Sequence, residues 1–212
     1  MDRYETEEQQ VEAIKQFWKE NGTAIIVGAV LGLGGLWGWR FYSDKTIESK
    51  EVASSAYQAG IDEFVKSEDT ASLQAFLSEH SDSGYSNLAA FIVAQQAVEK
   101  DDFEAAKRAL EGVASSTDAI ADLARIRLAK VHLHLGENTQ AISQLDQVVA
   151  TSFLDQVNEL KGDAHFANGE FDQARSSYNL ALVELPNNIN IKMKLDNIAY
   201  AKTQAVSIDS EE

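Results

Sequence analysis

The sequence predicts an all-α protein in which a single transmembrane helix near the N-terminus precedes an α-solenoid of about four helix pairs and a closing helix. Three observations predict it. Thr23 to Trp39 is a run of 17 residues without a charge, in a chain whose net charge is -16. The remainder is dominated by alanine, leucine, glutamate and glutamine, has one proline, Pro186, and shows little alternation of apolar and polar residues. Short turns recur in it at a nearly constant interval.

Residues 1–22 form an acidic tail, and a short tail before a single anchor is expected to stay in the cytoplasm while the rest crosses. Thr6 with Gln9 fits a capping box, and Val11, Ile14 and Trp18 share one helical face. The anchor, 23–39, spans about 26 Å as a helix, slightly less than the ~30 Å hydrocarbon layer. Phe17 and Trp18 before it, and Trp37, Trp39, Phe41 and Tyr42 at its end, place rings at both interfaces, with Lys19 and Arg40 reaching for headgroups. A cleaved signal peptide is not expected, because the preceding tail is acidic and Arg40-Phe41-Tyr42 offers no small-x-small site. With no cysteine, a lipidated bacterial-type anchor and structural disulfides are excluded. Arg3, Lys15 and Lys19 on one side balance Arg40, Lys45 and Lys50 on the other, so the charge count leaves orientation open. Asn21-Gly22-Thr23, formally a glycosylation sequon, abuts the bilayer and reads as a helix junction.

Within the anchor, Gly28, Gly32 and Gly35 lie at i, i+4 and i+7 on one face, and Gly34 with Gly38 makes a second GxxxG pair. Such a groove admits a second backbone, so it predicts helix association in the membrane, with another copy or with a larger membrane protein.

Residues 40–52 read as a juxtamembrane helix or linker, 53–206 as the repeat domain and 207–212 as an acidic tail. Residues 41–212 carry 14 Lys and Arg against 28 Asp and Glu. A nucleic-acid duplex would be repelled, and no basic stripe is present. Breaks are expected at Lys66–Asp69, His80–Gly84, Lys100–Asp102, Ser115–Asp118, Gly136–Thr139, Ala150–Ser152, Asn168–Glu170 and Pro186–Asn188. Aligning Ser67-Glu68, Asp101-Asp102, Gly136-Glu137 and Gly169-Glu170 gives spacings of 34, 35 and 33 residues, the period of tetratricopeptide-type helix pairs. Three columns support the register: Gly60, Ala94, Ala129 and Gly162 seven residues before each turn, Ser72, Ala106, Ala141 and Ala174 five after, and Phe76, Leu110, Leu145 and Tyr178 nine after. The predicted pairs are 53–86, 87–121, 122–154 and 155–188. A closing helix from Ile189 to Gln204 covers the last pair through Ile191, Leu195 and Ile198.

No nucleophile elbow, phosphate loop, HExxH or paired catalytic carboxylate occurs, so no catalytic residue and no cofactor is expected. The four histidines lack ligand spacing. His132 and His134 diverge on one helix, His80 and His165 stand alone, and His132 and His165 fill repeat positions usually aromatic, so no metal is expected. Projecting the register onto the first helix of each pair directs Tyr57, Ile61, Phe64, Phe91, Gln95, Ile126, Lys130, His134 and Phe166 toward a concave, largely apolar surface. That surface suits an extended polypeptide or an amphipathic helix, or is filled by the chain itself.

Tyr4-Glu5-Thr6-Glu7-Glu8-Gln9-Gln10-Val11-Glu12-Ala13-Ile14, then Glu20-Asn21-Gly22, the glycine-spaced anchor and Gly38-Trp39-Arg40 resemble the YfgM-like family, ancillary subunits of the SecYEG translocon. The resemblance covers nearly the full chain. It implies a bacterial inner-membrane protein with its tail in the cytoplasm and a periplasmic tetratricopeptide-like domain. The partners it implies are the SecYEG translocon, the periplasmic chaperone PpiD, emerging client polypeptides and a cytoplasmic stress-response regulator. It carries no catalytic residues.

Overall fold

A computed structural model describes residues 7–117 and 119–209, with side chains placed for 9–117 and 119–201. The expected Thr6–Gln9 capping box and the tail beyond 209 lie outside these residues. Among the described residues the chain forms nine α-helices, a 3-10 turn at Thr151–Phe153 and no strand. It divides into two compact units, Met1–Val52 and Ala53–Glu212.

The first helix, α1, runs Glu7–Ser67, and the unit boundary falls inside it. The junction expected at Asn21–Thr23 is not there. The Asn21 amide donates to the Phe17 carbonyl at 3.2 Å, and Gly22 lies against the Trp18 indole, 3.6 Å from where a Cβ would stand. A lone helical glycine costs only about 1 kcal/mol, which the surrounding helix formers absorb. Residues 40–52 are helical as well. α1 is the one described helix long and apolar enough to cross a membrane, and only 6% of its apolar window is buried by the rest of the chain.

The second unit is a run of hairpins. The end of α1 is followed by α2 (Ala71–Glu79), α3 (Ser86–Glu99), α4 (Phe103–Ala114), α5 (Ala121–His134), α6 (Asn138–Asp146), α7 (Leu154–Ala167), α8 (Phe171–Glu184) and α9 (Ile189–Asp209). Each helix from α2 onward packs on its successor, and α5 also packs on α7, the first helix of the next pair. Four apolar clusters follow this order. Ala53, Leu73, Phe76, Ala89 and Val93 form the first; Leu110, Val113, Leu128 and Val131 are in the second; Ile126, Leu145, Val157 and Leu160 are in the third; Tyr178, Ile191 and Ile198 are in the last. α9 closes the stack through Ile191, Leu195 and Ile198.

The hairpin turns repeat in conformation. Asp101, Gly136 and Gly169 have φ of +58°, +74° and +75°. At each, the next amide reaches back to the fifth carbonyl before it: Asp102 to Ala97, Glu137 to His132 and Glu170 to His165, all at 2.8 Å. The residue at positive φ donates to Val98, Leu133 and Phe166 respectively, which completes a Schellman cap. The first turn differs. Its left-handed residue is Glu68, φ +54°, closed by one bond from the Glu68 amide to the Phe64 carbonyl at 2.7 Å, the simpler αL cap. Measured at the left-handed residue, the spacings are therefore 33, 35 and 33, not 34, 35 and 33.

This slip corrects one sequence column. Ala106, Ala141 and Ala174 are fully buried, whereas Ser72 is exposed and its neighbour Leu73 is buried in its stead. Gly60 makes room for that leucine: a Cβ there would stand 2.8 Å from Leu73 Cδ2. The other columns hold, with Gly60, Ala94, Ala129 and Gly162 buried, and Phe76, Leu110, Leu145 and Tyr178 buried.

Candidate interaction sites

The membrane-type segment presents an open glycine face. Around Gly28, Gly32, Gly34, Gly35 and Gly38, among the described residues and apart from the helix's own neighbouring backbone, nothing lies within 4 Å of where a Cβ would be. Leu31 and Trp37 are 71% and 72% exposed. Among the described residues of this first unit, nothing covers the apolar surface here or the notch of small residues beside it.

In the repeat unit the predicted concave residues divide into four groups. Phe91, Gln95, Lys130 and His134 come together and line one open groove of 430 Å³ between α3, α4 and α5, joined by Val98, Glu99, Phe103 and Arg127 among others. Tyr57, Ile61 and Phe64 are half-buried in the first cluster instead, where Tyr57 stacks on Tyr85 with centroids 5.2 Å apart and lies 5.7 Å from Phe76. Phe166 packs 5.6 Å from Phe171 at the last pair. Ile126 is the correction. It is 1% exposed and belongs to the third cluster with Leu145, Val157 and Leu160, so it presents no surface to a partner. The reason is that a first helix in a stack touches its own second helix and the next pair's first helix, and Ile126 sits in the cluster formed with both, α6 and α7.

The groove has an aromatic floor and a cationic rim. The Arg127 guanidinium lies 4.5 Å from the centroid of the Phe91 ring, and His134 stacks flat on Phe103 at 4.7 Å and 7°. Arg127, Lys130 and His134 stand at i, i+3 and i+7 on α5, a spacing that exposed Arg127 in the sequence once Lys130 was placed. Phe103 carried a signal too, since it follows the Asp101 turn at the offset at which Phe171 follows Gly169. Glu99 is the one carboxylate in the lining, and it accepts from the Gln95 amide at 3.0 Å.

Other polar groups hold the scaffold. Asp122, buried, accepts from the Val149 and Ala150 amides at 3.1 and 2.8 Å and pairs with Arg125 at 2.8 Å. Burial pushes its carboxyl up, but the two amides and the guanidinium outweigh this and hold it below the usual range. The repeated His132–Glu137 and His165–Glu170 contacts, 2.6 and 2.5 Å, lie across two of the Schellman turns. Hydrogen bonds from His132 and then Lys107 hold the Glu137 carboxyl below its usual range.

The tetratricopeptide repeat-like domain family matches residues 15–200. The chain is 34% identical over 182 residues to the ancillary SecYEG translocon subunit of Escherichia coli (strain K12), covering 84% of this chain and 88% of that protein. It belongs to the family of ancillary SecYEG translocon subunits. A second member of this family of ancillary subunits, from Haemophilus influenzae, is 33% identical over 199 residues, 91% of this chain and 97% of its own. A third, from Neisseria gonorrhoeae, is 25% identical over 202 residues, at 91% and 97% coverage. The NMR structure of the first TPR domain of human RPAP3 superposes with a TM-score of 0.50 over 57% of this chain and 94% of that domain, at 19% identity, a likeness of fold alone.

Proposed function

We propose that this ancillary subunit is a non-enzymatic, single-pass inner-membrane protein that docks on the SecYEG translocon through its anchor helix and offers its repeat domain to other proteins. Its tail faces the cytoplasm and its repeat domain the periplasm. There it links the translocon to a chaperone of the PpiD type and assists newly translocated clients, while the tail meets a cytoplasmic stress-response regulator. The observation that carries the docking role is the uncovered glycine face of α1, joined to the name that the relatives share. A polypeptide channel presents transmembrane helices whose backbones can enter such a notch.

The direct test replaces Gly28, Gly32 and Gly35 with leucine. Among the described residues no atom lies within 4 Å of a Cβ added at any of the three, so the added Cβ atoms displace no contact of the chain's own. Copurification with the translocon from native membranes should be lost; recovery equal to wild type would remove the docking role.

A further inference from the structure

We propose that the groove between α3, α4 and α5 docks an extended polypeptide segment in which carboxylates flank a large apolar side chain. The proposal deepens the interaction-subunit reading and rests on it. Two features select this occupant. The floor is aromatic, Phe91 and Phe103, and takes an apolar side chain. The rim is cationic within a region that as a whole stands at -14, counting 14 Lys and Arg against 28 Asp and Glu over residues 41–212.

The charge is arranged for use. Arg127 and Lys130 have no ion-pair partner among the described residues, whereas Arg125 on the same helix is taken up by Asp122. A guanidinium lying on a ring keeps its edge N–H groups free, held in a plane that matches a carboxylate. Against the two cations the lining sets only Glu99, already engaged by Gln95. An acidic segment is therefore attracted locally by a protein that repels it elsewhere, which makes the groove selective for position.

The test uses the full chain in nanodiscs of neutral lipid and three labelled peptides of one design. A central Phe-Leu pair is flanked by Asp and Glu, by Asn and Gln, or by Lys. The acidic peptide should bind about ten-fold tighter than the amide peptide, a preference that salt reduces. The double variant Arg127→Glu with Lys130→Glu should lose that preference and favour the lysine peptide. Both side chains are exposed, so the variant folds; should its helical circular dichroism fall, Arg127→Gln with Lys130→Gln replaces it and should abolish the preference alone. Equal binding of the acidic and amide peptides, indifference to charge reversal, or capture of phosphatidylglycerol vesicles in place of peptide would overturn the proposal. Translocon copurification of the charge-reversed chain, scored in parallel, reports on the anchor and not the groove. Failure of the peptide preference is thereby separable from failure of the docking role.

Discussion

At the residue scale, the small residues at helix crossings were readable in the sequence, yet their tolerance depends on what faces them. A Cβ on Gly162 would stand 2.4 Å from Tyr178 Cδ1, and that ring is fixed at its far end because its hydroxyl donates to Asp163 at 2.7 Å. A Cβ on Gly60 meets the end of a leucine, which rotates away more readily. Gly162→Ala should cost about 1–3 kcal/mol in urea unfolding, and Gly60→Ala less. Asp122 was not readable, because its amide partners come from a loop 27 and 28 residues later. Asp122→Ala takes the carboxylate from Arg125, whose remaining hydrogen bond is to the Ser116 carbonyl at 3.5 Å, and from the two amides, and should cost about 3 kcal/mol by chemical denaturation. The sign of its pH dependence follows from a folded carboxyl held below the unfolded value of about 3.9. Its stabilisation is complete above that value and disappears as pH falls through the lower, folded value. The wild-type unfolding midpoint should drop more steeply in that acid window than the Asp122→Asn midpoint; parallel slopes would contradict the assignment.

At the scale of elements, turn spacing revealed the helix pairs because breakers and small residues mark both ends of each. What spacing could not reveal was cap geometry. The left-handed residue of the first turn is Glu68, one after the Ser67 that the spacing suggests, so the buried position five residues on is Leu73 and not Ser72. Helix α9 depends on a polar clamp as well as its apolar face, since the Lys194 ammonium reaches Glu159 at 2.6 Å and Asp163 at 2.8 Å on α7. Burial lowers the lysine's proton affinity, but the two carboxylates outweigh it and raise the result. The clamp is therefore intact below the unfolded lysine value of about 10.4 and is lost as pH rises through the higher, folded one. Lys194→Met should weaken α9 by about 1–2 kcal/mol, seen as faster amide hydrogen exchange in α9 with α3–α5 unchanged.

At the scale of the whole molecule, the anchor was plain in the sequence because nothing but lipid or a partner suits an uncharged run edged with rings. The projected concave stripe was legible only in its middle. One register carried along four pairs treats each first helix as facing the same open side, whereas the neighbouring pair buries Ile126 and the first and last pairs enclose Tyr57, Ile61, Phe64 and Phe166 in their own clusters. The middle pairs leave Phe91, Gln95, Lys130 and His134 on a groove. The most direct measurement of the docking role is photocrosslinking from a photoreactive side chain placed at Gly32, in native membranes with the full chain. Adducts to a translocon subunit, absent when the probe moves to an anchor position off the glycine face such as Leu33, are the expected result. Adducts to a second copy of the chain alone, or to lipid alone, would contradict it.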